Sequence, residues 1–262
     1  MIQFFKYHGT GNDFVIIDNR DGAISRESAP FFEALCHRRF GIGADGVILL
    51  ENHPDFDFDM YYVNADGHPA SMCGNGGRCT VAFAHRLGII TDSAHFLAID
   101  GPHEALLTKR GVKLKMGLPT AFRETQDGDH FIDTGSPHHV RFLSSDTDRD
   151  SYDVHLIGKA IREGAPYGKA GSNVNFVWEA GEGLYARTFE RGVEAETWSC
   201  GTGVTAVAEV HARLKGYPET PLAIRQPGGL LHVHVEEGKA PWLEGPATFV
   251  FSGHISPDFH HA

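Results

Sequence analysis

The sequence predicts an α+β protein of two similar units, each a curved sheet around a central helix. Three observations carry that expectation. A short device occurs twice, as Cys73-Gly74-Asn75-Gly76 and Cys200-Gly201-Thr202-Gly203, separated by 127 residues in a chain of 262. Behind each copy runs a helical stretch rich in alanine and valine that ends at a glycine, Gly88 or Gly216. Around both, short strand-like runs are punctuated by turn residues roughly every 8 to 12 positions.

In chain order, the strand pattern falls on Gln3–Tyr7, Phe14–Asp18, Gly46–Glu51, Asp57–Asn64, His95–Ile99, Glu104–Thr108 and Val112–Met116. Ser28 followed by Pro30 marks a helix start for Pro30–Arg39. The second half repeats the theme with strands at Phe131–Thr134, His138–Phe142, Asn173–Trp178, Gly183–Phe189, Pro221–Arg225, Leu230–Val235 and Ala247–Phe251, and an amphipathic helix at Val154–Glu163. Small residues on most faces of the two central helices predict close packing against sheet. The seam between the units is expected near Gly117-Leu118-Pro119.

Composition narrows the function. Hydrophobic content of 41% and charged content of 22% are those of a soluble globular protein. A net charge of −11 argues against a nucleic-acid partner. No apolar run approaches the roughly 18 residues that span a bilayer, and Met1–Lys6 reads as a first strand rather than a signal peptide, so a cytoplasmic protein is expected. The four cysteines, 36, 73, 79 and 200, form no disulfide scaffold and no Cys-x-x-Cys metal pair. His232 and His234 alternate along one face of a strand, which reads as a solvated face, and His260 and His261 sit in a polar terminus.

The chemistry concentrates at the duplicated device. A cysteine just ahead of Gly-x-Gly at a helix start meets backbone N–H groups and the positive end of the helix dipole, which favour a thiolate or a bound carboxylate. Cys36 and Cys79 read instead as small core residues. His8-Gly-Thr-Gly-Asn-Asp-Phe14 joins strand to strand, so it fails as a dinucleotide fingerprint. Asn12 within it is either an amide able to bond a ligand carboxylate or a turn asparagine in the left-handed region. Arg191, ahead of Cys200, is either a cation for an anionic ligand or half of a solvated Glu-Arg pair.

Taken together, His8-Gly-Thr-Gly-Asn-Asp-Phe14, Asn64-Ala-Asp-Gly67, Met72-Cys-Gly-Asn-Gly-Gly-Arg-Cys79, Gly135-Ser-Pro-His138, Glu190-Arg-Gly192 and Ser199-Cys-Gly-Thr-Gly203 resemble diaminopimelate epimerases, in family order. The resemblance implies interconversion of LL- and meso-diaminopimelate with no cofactor and no metal. It implies two pseudo-symmetric domains, each a barrel-like, mostly antiparallel sheet around a central helix, with the terminal strand returning to the first: residues 1–117 plus 249–262, and 118–248. It also implies a homodimer. By position, Cys73 and Cys200 would be the acid and base. Asn12, Gly74, Asn75, Gly201 and Thr202 would hold the reacting end of the substrate, and Asn64, Asn173, Glu190 and Arg191 the distal end, with His138 supporting the network.

Ser136 stands where many members have asparagine, Gly46 where some have glutamine, and Val193–Thr197 carries one residue beyond the commonest spacing. Proline and hydroxyproline racemases share the resemblance to two thiols, but usually have histidine at the place of Asn75 and lack the Glu-Arg-Gly segment. A non-catalytic amino-acid-binding protein would have no need of both cysteines, and phenazine-biosynthesis-like isomerases replace them.

Overall fold

The computed structural model describes residues 1–181, 183–256 and 259, so His260 and His261 lie outside the described residues. The chain divides into two compact units, Met1–Leu114 with Gly245–Ala262, and Lys115–Glu244. The first unit begins with β1 (Ile2–Gly9), β2 (Asn12–Asp18), α1 (Ala29–Cys36), β3 (Gly46–Glu51), β4 (Phe58–Asn64) and α2 (Gly74–Arg86). It continues with β5 (Ser93–Ala98), β6 (Gly101–Thr108) and β7 (Gly111–Lys115). The second unit holds β8 (Thr120–Glu124), β9 (His130–Asp133), β10 (Pro137–Phe142), α3 (Val154–Arg162), β11 (Asn173–Ala180) and β12 (Gly183–Glu190). After these come β13 (Ala195–Thr197), α4 (Gly201–Lys215), β14 (Leu222–Gln226), β15 (Gly229–His234) and β16 (Trp242–Gly245). The chain then returns to the first unit as β17 (Thr248–Ile255), antiparallel to β1.

The two units repeat one topology. From β1 to β6 the pairings run antiparallel, parallel, antiparallel, parallel, antiparallel, and β6–β7 adds a further antiparallel step. In the second unit β9, β10, β11, β12, β14, β15 and β16 pair in the same alternation. Each parallel step needs a crossover, and the helices supply it: α1 and α3 at the first step, α2 and α4 at the second. β8, antiparallel to β9, stands where β17 stands beside β1.

Both faces of each sheet are covered, which explains the unbroken apolar runs in the central strands. In the first unit Val15, Ile17, Val47 and Leu49 pack with Phe32 and Leu35 of α1. Alternate residues turn the other way, so Phe14, Ile48 and Met60 meet Gly76 of α2. In the second unit Val174, Phe176, Trp178 and Phe189 pack with Val154 of α3. Gly158 permits that approach, since a Cβ there would lie 2.6 Å from Phe189 Cβ. Gly88 and Gly216, which follow the central helices, take φ of 73° and 99°, the left-handed region that stops a helix without strain.

Several expectations need correction. α1 ends at Cys36 rather than Arg39, because the His37 ring accepts the N–H groups of Arg39 and Phe40 and turns the chain. β8, β13 and β16 were not expected. β8 is exposed along its length, so it carries no alternation to read. β13 has only 3 residues, and β16 has 4 flanked by Pro241 and Pro246. β16 also revises the reading of His232 and His234: they are half-buried, and His234 Nε2 meets Glu244 Oε2 at 2.9 Å.

Candidate active site

In the first unit, Cys73 is the N-cap residue of α2, with extended backbone and no side-chain cap bond. Gly77 N–H donates to Cys73 O (2.7 Å), so the N–H groups of Gly74, Asn75 and Gly76 have no carbonyl within the helix to bond. The hairpin between β1 and β2 turns at Thr10 and Gly11, both with positive φ, and delivers Asn12 to this helix start. Asn12 is therefore a strand residue, and Thr10 takes the left-handed conformation. Its amide orientation is set by Asp45: Asn12 Nδ2 donates to Asp45 Oδ2 at 2.6 Å, which leaves Oδ1 to face the Cys73 thiol (3.5 Å) and Asn75 Nδ2 (3.2 Å). Asn12 thus turns its acceptor end to the start of α2.

Asp45 is itself held by Arg38 (2.7 Å) and by the Asp13 N–H. Asp13 lies between Arg38 and Lys6. Burial alone would raise its carboxyl, but the two cations outweigh that and hold it at about 2. Arg78, one helical turn into α2, is fully buried and donates to Gly74 O and Asn75 Oδ1. Asn64 is exposed and accepts the Tyr62 hydroxyl at 2.8 Å. A side chain at Gly46 would meet Tyr62 Cε2 and Val63 O at 2.5 Å, so Tyr62 fills the space beside that glycine.

In the second unit, Cys200 is the buried N-cap residue of α4. Gln226 Oε1 accepts both Cys200 N–H (3.0 Å) and Ser199 Oγ (3.1 Å). A buried chain of side chains continues from it: Gln226 Nε2 donates to Thr188, Thr188 to Asn175 Oδ1, and Asn175 Nδ2 to His138 Nδ1. With Nδ1 accepting, the His138 proton sits on Nε2 and points at Thr202 Oγ1, 3.0 Å away, and Thr202 Oγ1 lies 3.5 Å from Cys200 Sγ. Burial, and then Arg191, push His138 down to about 3, so it is a neutral donor at pH 7. Gly203 must be glycine here, since a Cβ would lie 2.6 Å from Asn175 Oδ1.

Burial raises the Cys200 thiol well above its ordinary range, and the adjacent Glu190 carboxylate raises it further; Thr202 and the Gly203 N–H act in the opposite direction. Glu190 is positioned by Thr197 Oγ1 (2.6 Å) across the β12–β13 hairpin, whose loop has Gly192 and Glu194 at positive φ. Asn173 Oδ1 accepts the Arg191 N–H, and its Nδ2 donates to Ser136 Oγ, both at 2.9 Å. The Arg191 guanidinium is exposed and reaches Ala170 O.

The first unit thus gathers Asn12, Cys73, Gly74 and Asn75, with Asn64 standing apart on Tyr62. The second gathers Cys200, Gly201, Thr202, His138, Asn173, Ser136, Glu190 and Arg191. Sequence reading missed Asp45, Arg78, Asn175, Thr188 and Gln226. Arg78 alone left a signal: a charged residue among the small residues that open α2, from Gly74 to Ala82.

The family model described as diaminopimelate epimerase matches residues 4–121 and 130–250. A diaminopimelate epimerase of Flavobacterium psychrophilum is 43% identical over 255 residues, covering 95% of this chain and 98% of that one. One from Chlorobaculum tepidum is 43% identical over 258 residues, covering 95% and 99%. Among solved structures, a phenazine biosynthesis protein of the PhzF family from Bacillus anthracis aligns with a TM-score of 0.73 at 14% identity, over 97% of this chain and 99% of that one. A probable proline racemase from Agrobacterium radiobacter aligns with a TM-score of 0.68 at 17% identity, over 98% and 94%. At such identities these two speak to the fold alone. The extent of the family match and of the sequence identity settles the affiliation: this chain belongs to the diaminopimelate epimerase family.

Proposed function

We propose that this protein interconverts LL- and meso-2,6-diaminopimelate by cofactor-free proton transfer, on the route to lysine and cell-wall precursors. The observation that carries the reading is the pair of cysteines, each capping a glycine-opened helix in its own unit. Inversion at an α-carbon requires a base on one face and an acid on the other, and a thiolate with a thiol supplies both. Enzymes lower such barriers by about 8–23 kcal/mol. With no electron sink, that help comes from backbone N–H groups of Gly74, Asn75, Gly201 and Thr202 aimed at the reacting carboxylate.

Asn12 Oδ1 accepts the reacting ammonium, and His138 acts through Thr202 to orient the Cys200 thiol. Asn64, Asn173, Glu190 and Arg191 hold the distal amino-acid end, with Ser136 supporting Asn173. The reading carries with it a cytoplasmic homodimer whose partners are its small substrate and itself, with no nucleic acid or membrane. Among the described residues no helix is long and apolar enough to cross a membrane. The competing substrate is proline, as in the racemases of similar fold. An assay in deuterated water with LL-diaminopimelate against L-proline separates them. Turnover of diaminopimelate with deuterium at the inverted carbon is expected; racemisation of proline alone, or inversion without label at initial rate, overturns the reading.

A further inference from the structure

Cys200 is held at both its backbone and its sulfur by one closed circuit of hydrogen bonds inside the second unit. Its N–H donates to Gln226 Oε1 (3.0 Å), and Gln226 Nε2 donates to Thr188 Oγ1 (3.3 Å). Thr188 Oγ1 donates to Asn175 Oδ1 (3.0 Å), and Asn175 Nδ2 to His138 Nδ1 (3.1 Å). His138 Nε2 then meets Thr202 Oγ1 (3.0 Å), which lies 3.5 Å from Cys200 Sγ. Gln226, Thr188, Asn175 and His138 are all buried, so their polar atoms depend on one another for partners.

The direction of this circuit is fixed from two sides. A backbone N–H can only donate, so Cys200 holds the Gln226 oxygen toward the helix start, where Ser199 Oγ also donates to it (3.1 Å). A backbone carbonyl can only accept, and His139 O takes Asn175 Nδ2 at 2.9 Å. With both amides oriented, Thr188 accepts from Gln226 and donates to Asn175, and His138 accepts at Nδ1 and carries its proton on Nε2. Asn173 Nδ2, 3.5 Å from that nitrogen, is no rival acceptor, because it directs its own hydrogens to Ser136 Oγ and Pro137 O. Thr202 receives the His138 proton, which leaves its own hydroxyl hydrogen for the Cys200 sulfur.

We propose that Gln226 is a positioning residue for Cys200, pinning the backbone at the start of α4 and setting the sense of the hydrogen bonds that return to the sulfur. This rests on the two-thiol reading above and extends it to a side chain that reaches Cys200 from β14, 26 residues along the chain. The β14–β15 hairpin grips the same turn a second time, since Gly228 N–H donates to Trp198 O at 2.8 Å. Bonds that all run one way polarise one another, so a break at Gln226 is felt at Thr202. The charged groups on the surrounding elements are engaged elsewhere. Arg187 of β12 pairs with Glu196 of β13, Glu190 accepts Thr197 Oγ1, Glu209 of α4 pairs with Arg213, His234 of β15 pairs with Glu244, and Arg225 is exposed.

The first test is 15N NMR of histidine-labelled, substrate-free protein, with the His138 signals assigned by their loss in His138→Gln. It needs no substrate, so a failure to turn over diaminopimelate leaves it intact. His138 is expected to carry its proton on Nε2; a proton on Nδ1 overturns the proposal. The second test is kcat/KM for diaminopimelate across pH. Gln226→Leu, which can neither accept from Cys200 nor donate to Thr188, should lose about tenfold or more at every pH. Gln226→Glu keeps the shape, but its ionised carboxylate only accepts, so it turns the Thr188 hydroxyl away from Asn175. It should lose about tenfold or more at pH 9 relative to wild type, and less as pH falls and the carboxyl takes up a proton to donate in place of Nε2. A packing role alone would not follow that protonation. Wild-type kcat/KM in Gln226→Leu, or in Gln226→Glu at pH 9, overturns the proposal. Should both variants fail to fold, the wild-type tautomer alone decides.

Discussion

Asn12 shows how much of this site is decided one step behind the residues that would touch a ligand. An amide has a donor end and an acceptor end, and Asp45 takes the donor. The oxygen is then committed to Cys73 and Asn75, so Asp45, 33 residues along the chain, decides which end of Asn12 the helix start meets. Asp45→Ala should lower kcat/KM for diaminopimelate by about 10–100-fold, from the loss of one charge-assisted hydrogen bond worth about 1.5–3 kcal/mol. Asp45→Asn, which keeps an acceptor, should lose less; equal loss in both would show that the carboxylate acts in some other way. The residues proposed to face the ligand were legible because they cluster in short glycine-rich motifs. Their supports were not: Asp45, Gln226 and Thr188 reach the site through sheet register, and no local pattern marks them.

At the scale of elements, what could be read in advance was whatever buried an apolar face. The central strands carry unbroken apolar runs, and β3 falls where the pattern put it. The three strands that were missed are short or exposed, so neither burial nor alternation announces them. Helix starts differ in kind. α3 begins at Asp153, whose carboxylate accepts Leu156 N–H at 2.9 Å, whereas α2 and α4 begin at cysteines with no such cap. Asp153→Ala should therefore cost about 1 kcal/mol of stability, measurable by denaturant unfolding, with kcat unchanged. At α2 and α4 the uncapped first turns leave the N–H groups available for a ligand, at the expense of local stability.

Across the whole molecule, the repeated Cys-Gly-x-Gly device predicted a duplication, and the matching strand pairings of the two units show it. What differs between the copies is electrostatic, and it follows from residues outside the repeat, with a buried arginine in one unit and a glutamate in the other. The acid stability of the protein depends on similarly placed charges. Asp13, held at about 2 when folded against an ordinary value near 3.8, contributes on the order of 2 kcal/mol above pH 4, lost as pH falls toward 2. His138, held down to about 3 by burial first and Arg191 second, binds a proton in the unfolded chain from about pH 6.5 downward. Both groups bind more protons when unfolded, so thermal stability should fall progressively below about pH 6.5. A melting temperature that stayed flat from pH 6.5 to 4 would contradict the neutral, buried state of His138.

The most direct test of the two-thiol account is turnover of LL-diaminopimelate by Cys73→Ser and Cys200→Ser, each checked for native fold by circular dichroism. A serine hydroxyl is far too weak an acid to exchange roles with a thiolate near neutral pH. Each variant is expected to lose at least about a hundredfold in rate with its fold intact, in line with removal of a general acid–base. Near-normal turnover by either variant would contradict the account.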